Sequence, residues 1–286
     1  MTASFNYDAS FSRNIGWVTE AEQQQLSEKR VAIAGMGGVG GFHLLTLARL
    51  GIQHFHIADL DTFELANFNR QAGATMSSIG KHKTEVLARM VLEINPNCDV
   101  RIFSKGVHAE NLDEFMAGVD LYVDGLDFFA FRAREDLFSY CAEKRIPATT
   151  VAPLGMSAAL LNFMPGGMSF EQYFHLDGRP EMEKAVRFLI GLAPALLHRP
   201  YLADETRVNL AARKGPSTVM ACALCAGVAA CEALKILLGR GKIWAAPHGI
   251  QFDGYRNRTA HTWRPGGNRN PINRLAIAIA KRQLGV

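Results

Sequence analysis

Val31-Ala-Ile-Ala-Gly-Met-Gly-Gly-Val-Gly40, followed by Ile57-Ala-Asp-Leu-Asp61, decides how this chain folds. An apolar run that reads as a strand feeds the glycine turn Gly35-x-Gly37-Gly38-x-Gly40 and then an amphipathic helix. Asp59 ends the next apolar run, about 20 residues after the glycines. In such a layout, backbone amides at a helix N-terminus meet phosphate while the carboxylate holds a ribose hydroxyl. The stretch predicts a bound nucleotide, with Gly35, Gly37, Gly38, Gly40 and Asp59 in contact with it. Taken alone, it suggests a dinucleotide such as NAD.

Working outward, strand-like runs fall at 31–34, 54–58, 100–103, 120–123 and 147–152, with helical spacing at 40–51, 80–94 and 129–145. Asn95-Pro96 stops the second of these helices. The alternation predicts an α/β fold with a doubly wound, mostly parallel, Rossmann-like sheet. Ser157–Phe163 starts an antiparallel extension, and 250–253 with 258–262 close it as a hairpin. Residues 217–239 read as one Ala-rich helix stopped by Gly239 and Gly241. The expected divisions are a helical N-terminal arm (1–28), a nucleotide-binding core (29–163), a long crossover or lid (164–216) with a helix near Glu181–Leu197, the rest of the core (217–265) and a basic tail (266–286). The tail's short apolar helix, about 272–284, is expected to pack on the domain or a partner rather than a membrane.

Composition narrows the class. Of 286 residues, 48% are apolar and 20% charged, an ordinary globular balance. A net charge of +4, from 31 Lys+Arg against 27 Asp+Glu, is too weak to argue nucleic-acid binding. No apolar run is expected to reach the ~18 residues of a membrane span. The N-terminus shows no secretory signal. Five cysteines fit a reducing compartment, so the expected location is cytoplasmic.

The residues after Asp59 redirect the nucleotide reading. Asp61, Asn67-Phe-Asn-Arg-Gln71 and Gly80-Lys-His-Lys83 follow. Singly, Arg70 and Lys83 read as solvated charges. Clustered with Asn67 and Gln71, they supply charge for the β- and γ-phosphates of ATP. A dinucleotide, whose pyrophosphate is already held by the turn, has no such need. Val123-Asp-Gly-Leu-Asp127 then puts a carboxylate at the C-terminal end of a strand, where such sheets bind ligands. Asp127 is placed to hold Mg²⁺, which takes one or two carboxylates plus phosphate oxygens, and to cap the helix at 129–145.

Together, Phe11-Ser-Arg-Asn14, Gly35-Met-Gly-Gly-Val-Gly40, Asp59-Leu-Asp61, Asn67-Phe-Asn-Arg-Gln71, Gly80-Lys-His-Lys83, Asn95-Pro96 and Asp124-Gly-Leu-Asp127 resemble the ThiF/MoeB family of ubiquitin-activating-enzyme-like (E1-like) adenylyltransferases. The likeness covers roughly residues 8–163 and resumes more weakly at Gly215-Pro-Ser-Thr218. It implies attack of a substrate carboxylate on the α-phosphate of Mg·ATP, giving an acyl-adenylate and pyrophosphate. The carboxylate is typically the C-terminus of a ubiquitin-like or other small protein or peptide. By the same resemblance, Asp59 binds ribose, Gly38 lies under the nucleotide, Asn67, Arg70 and Lys83 neutralise the phosphates, and Asp127 holds Mg²⁺. Arg13 matches an arginine that family dimers donate into the partner's site, which implies a homodimer.

The departures from the family pattern carry expectations too. Cys222-Ala-Leu-Cys225, with Cys231 beyond, is one pair where zinc-bearing members have two, so no zinc is expected. Cys222 is the best available candidate for a thioester thiol, though a weak one, since 153–221 contains no cysteine. Phe128 stands where members often have Asn, and His43 is expected to pack in the first helix. Relatives that activate a carboxylate on a modified tRNA nucleoside are the runner-up, motivated by Arg256, Arg258, Arg264, Arg269 and Arg274. A non-catalytic nucleotide-binding scaffold is the third alternative.

Overall fold

The computed structural model describes residues 4–210, 212–213 and 215–284. Five strands run parallel in the order β3-β2-β1-β4-β5, with β1 Arg30–Ala34, β2 His54–Ala58, β3 Asp99–Phe103, β4 Leu121–Asp124 and β5 Ala148–Leu154. Antiparallel β6 (Ser157–Phe163), β7 (His248–Asp253) and β8 (Arg258–Trp263) complete one eight-stranded sheet. The chain winds outward from β1 to β3, then returns to the other side of β1 for β4. A crevice therefore opens at the C-terminal ends of β1 and β4, where the winding direction switches.

The helices are α1 (Tyr7–Phe11), α2 (Glu20–Ser27), α3 (Gly40–Leu50), α4 (Lys83–Ile94), α5 (Leu112–Phe115), α6 (Phe131–Lys144), α7 (Phe170–Phe174), α8 (Glu181–Leu192), α9 (Val219–Leu238) and α10 (Pro271–Leu284). Strand alternation sends Val31, Ile33, Phe55, Ile57, Leu121 and Val123 to one face, under α3, α4 and α9. Ala32, Ala34, Ala58, Tyr122, Leu161 and Phe163 face α5, α6, α7 and α8. Both faces are buried, which is why these strands read as continuous apolar runs rather than alternating ones.

Several boundaries move for local reasons. Helix α4 starts at Lys83, because Ile79 and His82 bridge back to Phe63 and Thr62. Helix α8 ends at Leu192, because Ala193 precedes Pro194 and the residue before proline disfavours helical backbone. Helix α6 starts at Phe131 after Ala130, so Asp127 does not cap it as expected; its Oδ1 accepts the Phe129 amide in a turn instead, at 2.9 Å. Helix α9 corrects the expectation about spans: its 20 residues, of mean hydropathy 1.9, are long and apolar enough to cross a membrane by length and composition. In this fold the helix packs on β5, β6 and α3. It carries Glu232, which accepts from the Asn162 amide at 2.8 Å and pairs with Lys235.

The tail is tied to the core. Asn268, 1% exposed, donates to the carbonyls of Phe174 and Arg187, both at 2.9 Å, and accepts from Asn273. One amide thus joins α7, α8 and α10. Asn268→Ala removes the side-chain donor to the Phe174 and Arg187 carbonyls and should lower unfolding free energy by about 1–3 kcal/mol, read from urea titration. A loss below about 0.5 kcal/mol would show that the amide is not the tie.

Candidate functional site

The glycine turn is built by backbone crowding. Gly35 has φ +88°, and a Cβ there would lie 2.2 Å from the Gly125 carbonyl oxygen. A Cβ on Gly40 would lie 1.7 Å from the Gly35 carbonyl oxygen. The turn after β1 and the turn after β4 thus touch backbone to backbone, and only glycine allows the contact. Asp59 braces the turn from β2: Oδ2 accepts the Met36 amide at 2.6 Å and Oδ1 accepts the Asp61 amide at 2.8 Å.

Most of the candidate residues converge on this edge. The Arg70 methylenes lie 3.8 Å from where a Gly38 Cβ would be, and the Gln71 Nε2 lies 3.9 Å from a Gly37 Cβ. Gln71 is buried, and its Oε1 has no hydrogen-bond partner among the described residues. Lys83 is buried too, with its ammonium 2.9 Å from Asp61 Oδ2, so it is an anchored charge rather than a solvated one. Asn67 spends its side-chain oxygen on the Glu64 amide, shaping the loop that carries Arg70. Asp127 is exposed on the loop after β4.

Arg13 is the exception. It lies in a single 3-10 turn, and the adjacent Asn14 donates to the carbonyl of Leu50, at the far end of α3 from the glycines. Eleven residues of helix span about 16 Å. Arg13 is exposed and belongs to the opposite end of the domain from the turn.

Sequence reasoning missed the bracket behind Asp127. Arg134, 2% exposed, donates to Asp124 Oδ2 at 2.8 Å and to the carbonyls of Leu126, Asp127 and Phe128. Its guanidinium lies 4.6 Å from the Phe188 ring centroid on α8. Asp124 also accepts from Thr150 and from the Leu126 amide. The only sequence signal was an acidic strand end followed by an arginine on the buried face of the next helix. Phe128 packs against Phe129, Phe131 and Phe188, so this position serves the core.

The cysteines and histidines sort by burial. Cys222 is fully buried directly behind Gly38, its Sγ 3.1 Å from a Cβ placed there, and burial pushes its thiol pKa up. Cys225, one turn on, is pushed up further by burial. Both pack with Val151 and Leu160, which is the environment of core thiols rather than of a nucleophile. His248 and His261 share a 3.0 Å hydrogen bond on the closing hairpin.

With the fold and this edge described, comparison with known proteins decides the family. The ThiF family model matches residues 11–273. This chain belongs to the ThiF family. It is 32% identical over 151 residues to the tRNA threonylcarbamoyladenosine dehydratase of Haemophilus influenzae, covering 52% of this chain and 57% of that one. It is 28% identical over 143 residues to the sulfur carrier protein ThiS adenylyltransferase of Escherichia coli, covering 50% and 56%. The chain therefore spans a little over half the length of these curated relatives. In fold it is similar to E. coli MccB solved with MccA, at a TM-score of 0.68 and 20% identity, covering 90% of this chain and 72% of that one.

One buried group makes stability depend on pH. His43 in α3 is fully buried, neither ring nitrogen has a partner among the described residues, and burial lowers its pKa from 6.5 to about 3. Between those values the unfolded chain takes up a proton that the folded chain refuses. This group therefore destabilises the fold as pH falls below 6.5, by about 1.4 kcal/mol per unit. In His43→Leu, the loss of urea stability between pH 7 and pH 5 should be smaller than in the wild type by about 2 kcal/mol. An equal loss in both proteins would mean that His43 titrates normally.

Proposed function

We propose that this chain is an ATP-dependent adenylyltransferase that activates a carboxylate as an acyl-adenylate. A carboxylate oxygen forms the bond to the α-phosphorus, the bond from that phosphorus to the bridging oxygen breaks, and pyrophosphate leaves with the electron pair. The substrate carboxylate is ionised at neutral pH, so no general base is needed. The observation that supports the proposal is that Arg70 and Gln71 lie against Gly38 and Gly37, with Lys83 anchored to Asp61 beside Asp59 and Asp127 two residues past Gly125, which fits a nucleotide whose triphosphate is broken. Catalysis of this kind rests on positioning and charge neutralisation.

Each residue then has a task. Gly35, Gly37, Gly38 and Gly40 let the nucleotide approach the backbone, and Asp59 takes the ribose. Asn67 and Gln71 shape the phosphate side, Arg70 and Lys83 neutralise it, and Asp61 keeps Lys83 in place. Asp127 fits Mg²⁺, because one Asp127 oxygen is taken by the Phe129 amide and a single exposed carboxylate suits a cation that completes its shell with phosphate oxygens and water. When bound, that ion would supply further charge neutralisation. No thioester step is proposed, since Cys222 and Cys225 are buried.

We place the carboxylate on the C-terminus of a ubiquitin-like or other small protein or peptide. The name of the ThiS adenylyltransferase, which specifies a sulfur carrier protein, supports this. A carboxylate on a modified tRNA nucleoside is the second reading, favoured by the name of the H. influenzae relative and by exposed Arg256, Arg258, Arg269 and Arg274. ATP–pyrophosphate exchange tests both. It should appear with small proteins ending in Gly-Gly under the first reading, and with threonylcarbamoylated tRNA under the second. ATP binding without exchange on any carboxylate would sink adenylation and leave a scaffold.

The proposal includes a homodimer in which Arg13 serves the partner's site, because Arg13 lies at the wrong end of α3 for its own. Arg13→Ala and Asp127→Ala should each lose most exchange activity while keeping the wild-type melting temperature. A mixture of the two should regain part of it, since one site of the mixed dimer is then intact. No recovery on mixing would count against a trans arginine.

A further inference from the structure

The crossover is fastened to the nucleotide edge at two points that no site assignment uses. Within it, beyond α8, the Tyr201 hydroxyl donates to buried Asp253 Oδ2 at 2.8 Å and accepts the Met156 amide at 2.9 Å. At its end, the Thr218 hydroxyl donates to the Gly155 carbonyl at 2.8 Å. Both points therefore lie on the single turn between β5 and β6, beyond the C-terminal end of β5. Of the chain between them, residues 202–210, 212–213 and 215–217 are described, and this strap has its ends held together on the edge that carries the glycine turn.

A third fastening joins this strap to the phosphate side. Asn69 donates through Nδ2 to the Ser217 carbonyl at 3.0 Å and accepts through Oδ1 from Arg70 Nη1 at 2.9 Å. Arg70 Nη1 is also held by the Ala66 carbonyl at 2.9 Å. Asn69 thus bonds both the guanidinium of Arg70, whose methylenes lie against Gly38, and the end of the strap.

We propose that Asn69 is a positioning residue: it aims Arg70 at the nucleotide phosphates and couples phosphate occupancy to the strap. This rests on the ATP site proposed above. An arginine held at two points loses less freedom on meeting phosphate, so removing one hold weakens binding of the phosphates that it reaches. AMP, which lacks the β- and γ-phosphates, should be indifferent to the change.

The test uses the full chain, Mg·ATP, AMP and the α,β-methylene analogue of ATP. Exposed Arg207 and Arg213 report on the strap through tryptic cleavage. In the wild type, the analogue should slow cleavage at both. Asn69→Ala should bind ATP about tenfold more weakly while AMP affinity is unchanged, and the analogue should no longer slow cleavage. Tyr201→Phe loosens only the other fastening. It should be cut faster than the wild type, with an unchanged ratio of ATP to AMP affinity and with protection by the analogue retained. A merely structural Asn69 would raise cleavage with and without the analogue and leave the affinity ratio alone; that result overturns the inference and leaves the ATP site standing. A wild type that binds neither nucleotide overturns the ATP site and the coupling with it.

Discussion

The contact on which the rest depends is the backbone meeting between Gly35 and Gly125, reinforced by Gly40. It brings the turns after β1 and β4 together at the point where the sheet reverses its winding. Everything that can face a nucleotide hangs from that junction. Asp59 grips the first turn from one side, and Arg134 grips the second from the other. The strand ends have no room to drift, because any side chain at these positions would collide with peptide atoms rather than with something able to rotate aside.

Charge is distributed around the junction by burial rather than by number. Lys83 and Arg134 are both nearly inaccessible, yet one is paired to an exposed carboxylate and the other to a buried one. The first pair fixes its ammonium beside Asp61 on the loop after β2. The second is wholly structural, since Arg134 saturates Asp124 and three carbonyls at once. A buried ion pair of this kind contributes little net stability, and its value lies in fixing one loop geometry.

Much of this could be read from the sequence because the strands are short, apolar and separated by glycine or proline. The parallel core and the antiparallel extension both followed from spacing. What could not be read depended on tertiary contact. Asn69 is an ordinary loop residue until Ser217 arrives from 148 positions away. Helix α9 looked unexceptional because alanine and glycine hide how apolar a 20-residue run has become. The division between Asp124 and Asp127 was also invisible: two aspartates three positions apart, one sealed behind an arginine and the other open to solvent.

The Arg134 bracket has a consequence for how such chains diversify. Its guanidinium rests on Phe188, which belongs to the crossover, while its hydrogen bonds form the loop bearing Asp127. The crossover is therefore mortised into the loop that bears Asp127. A crossover transplanted from a relative would arrive without its seat unless the residues under α8 moved with it. New specificities on this scaffold should accordingly arise in the strap beyond Tyr201, where exchange leaves the joint undisturbed.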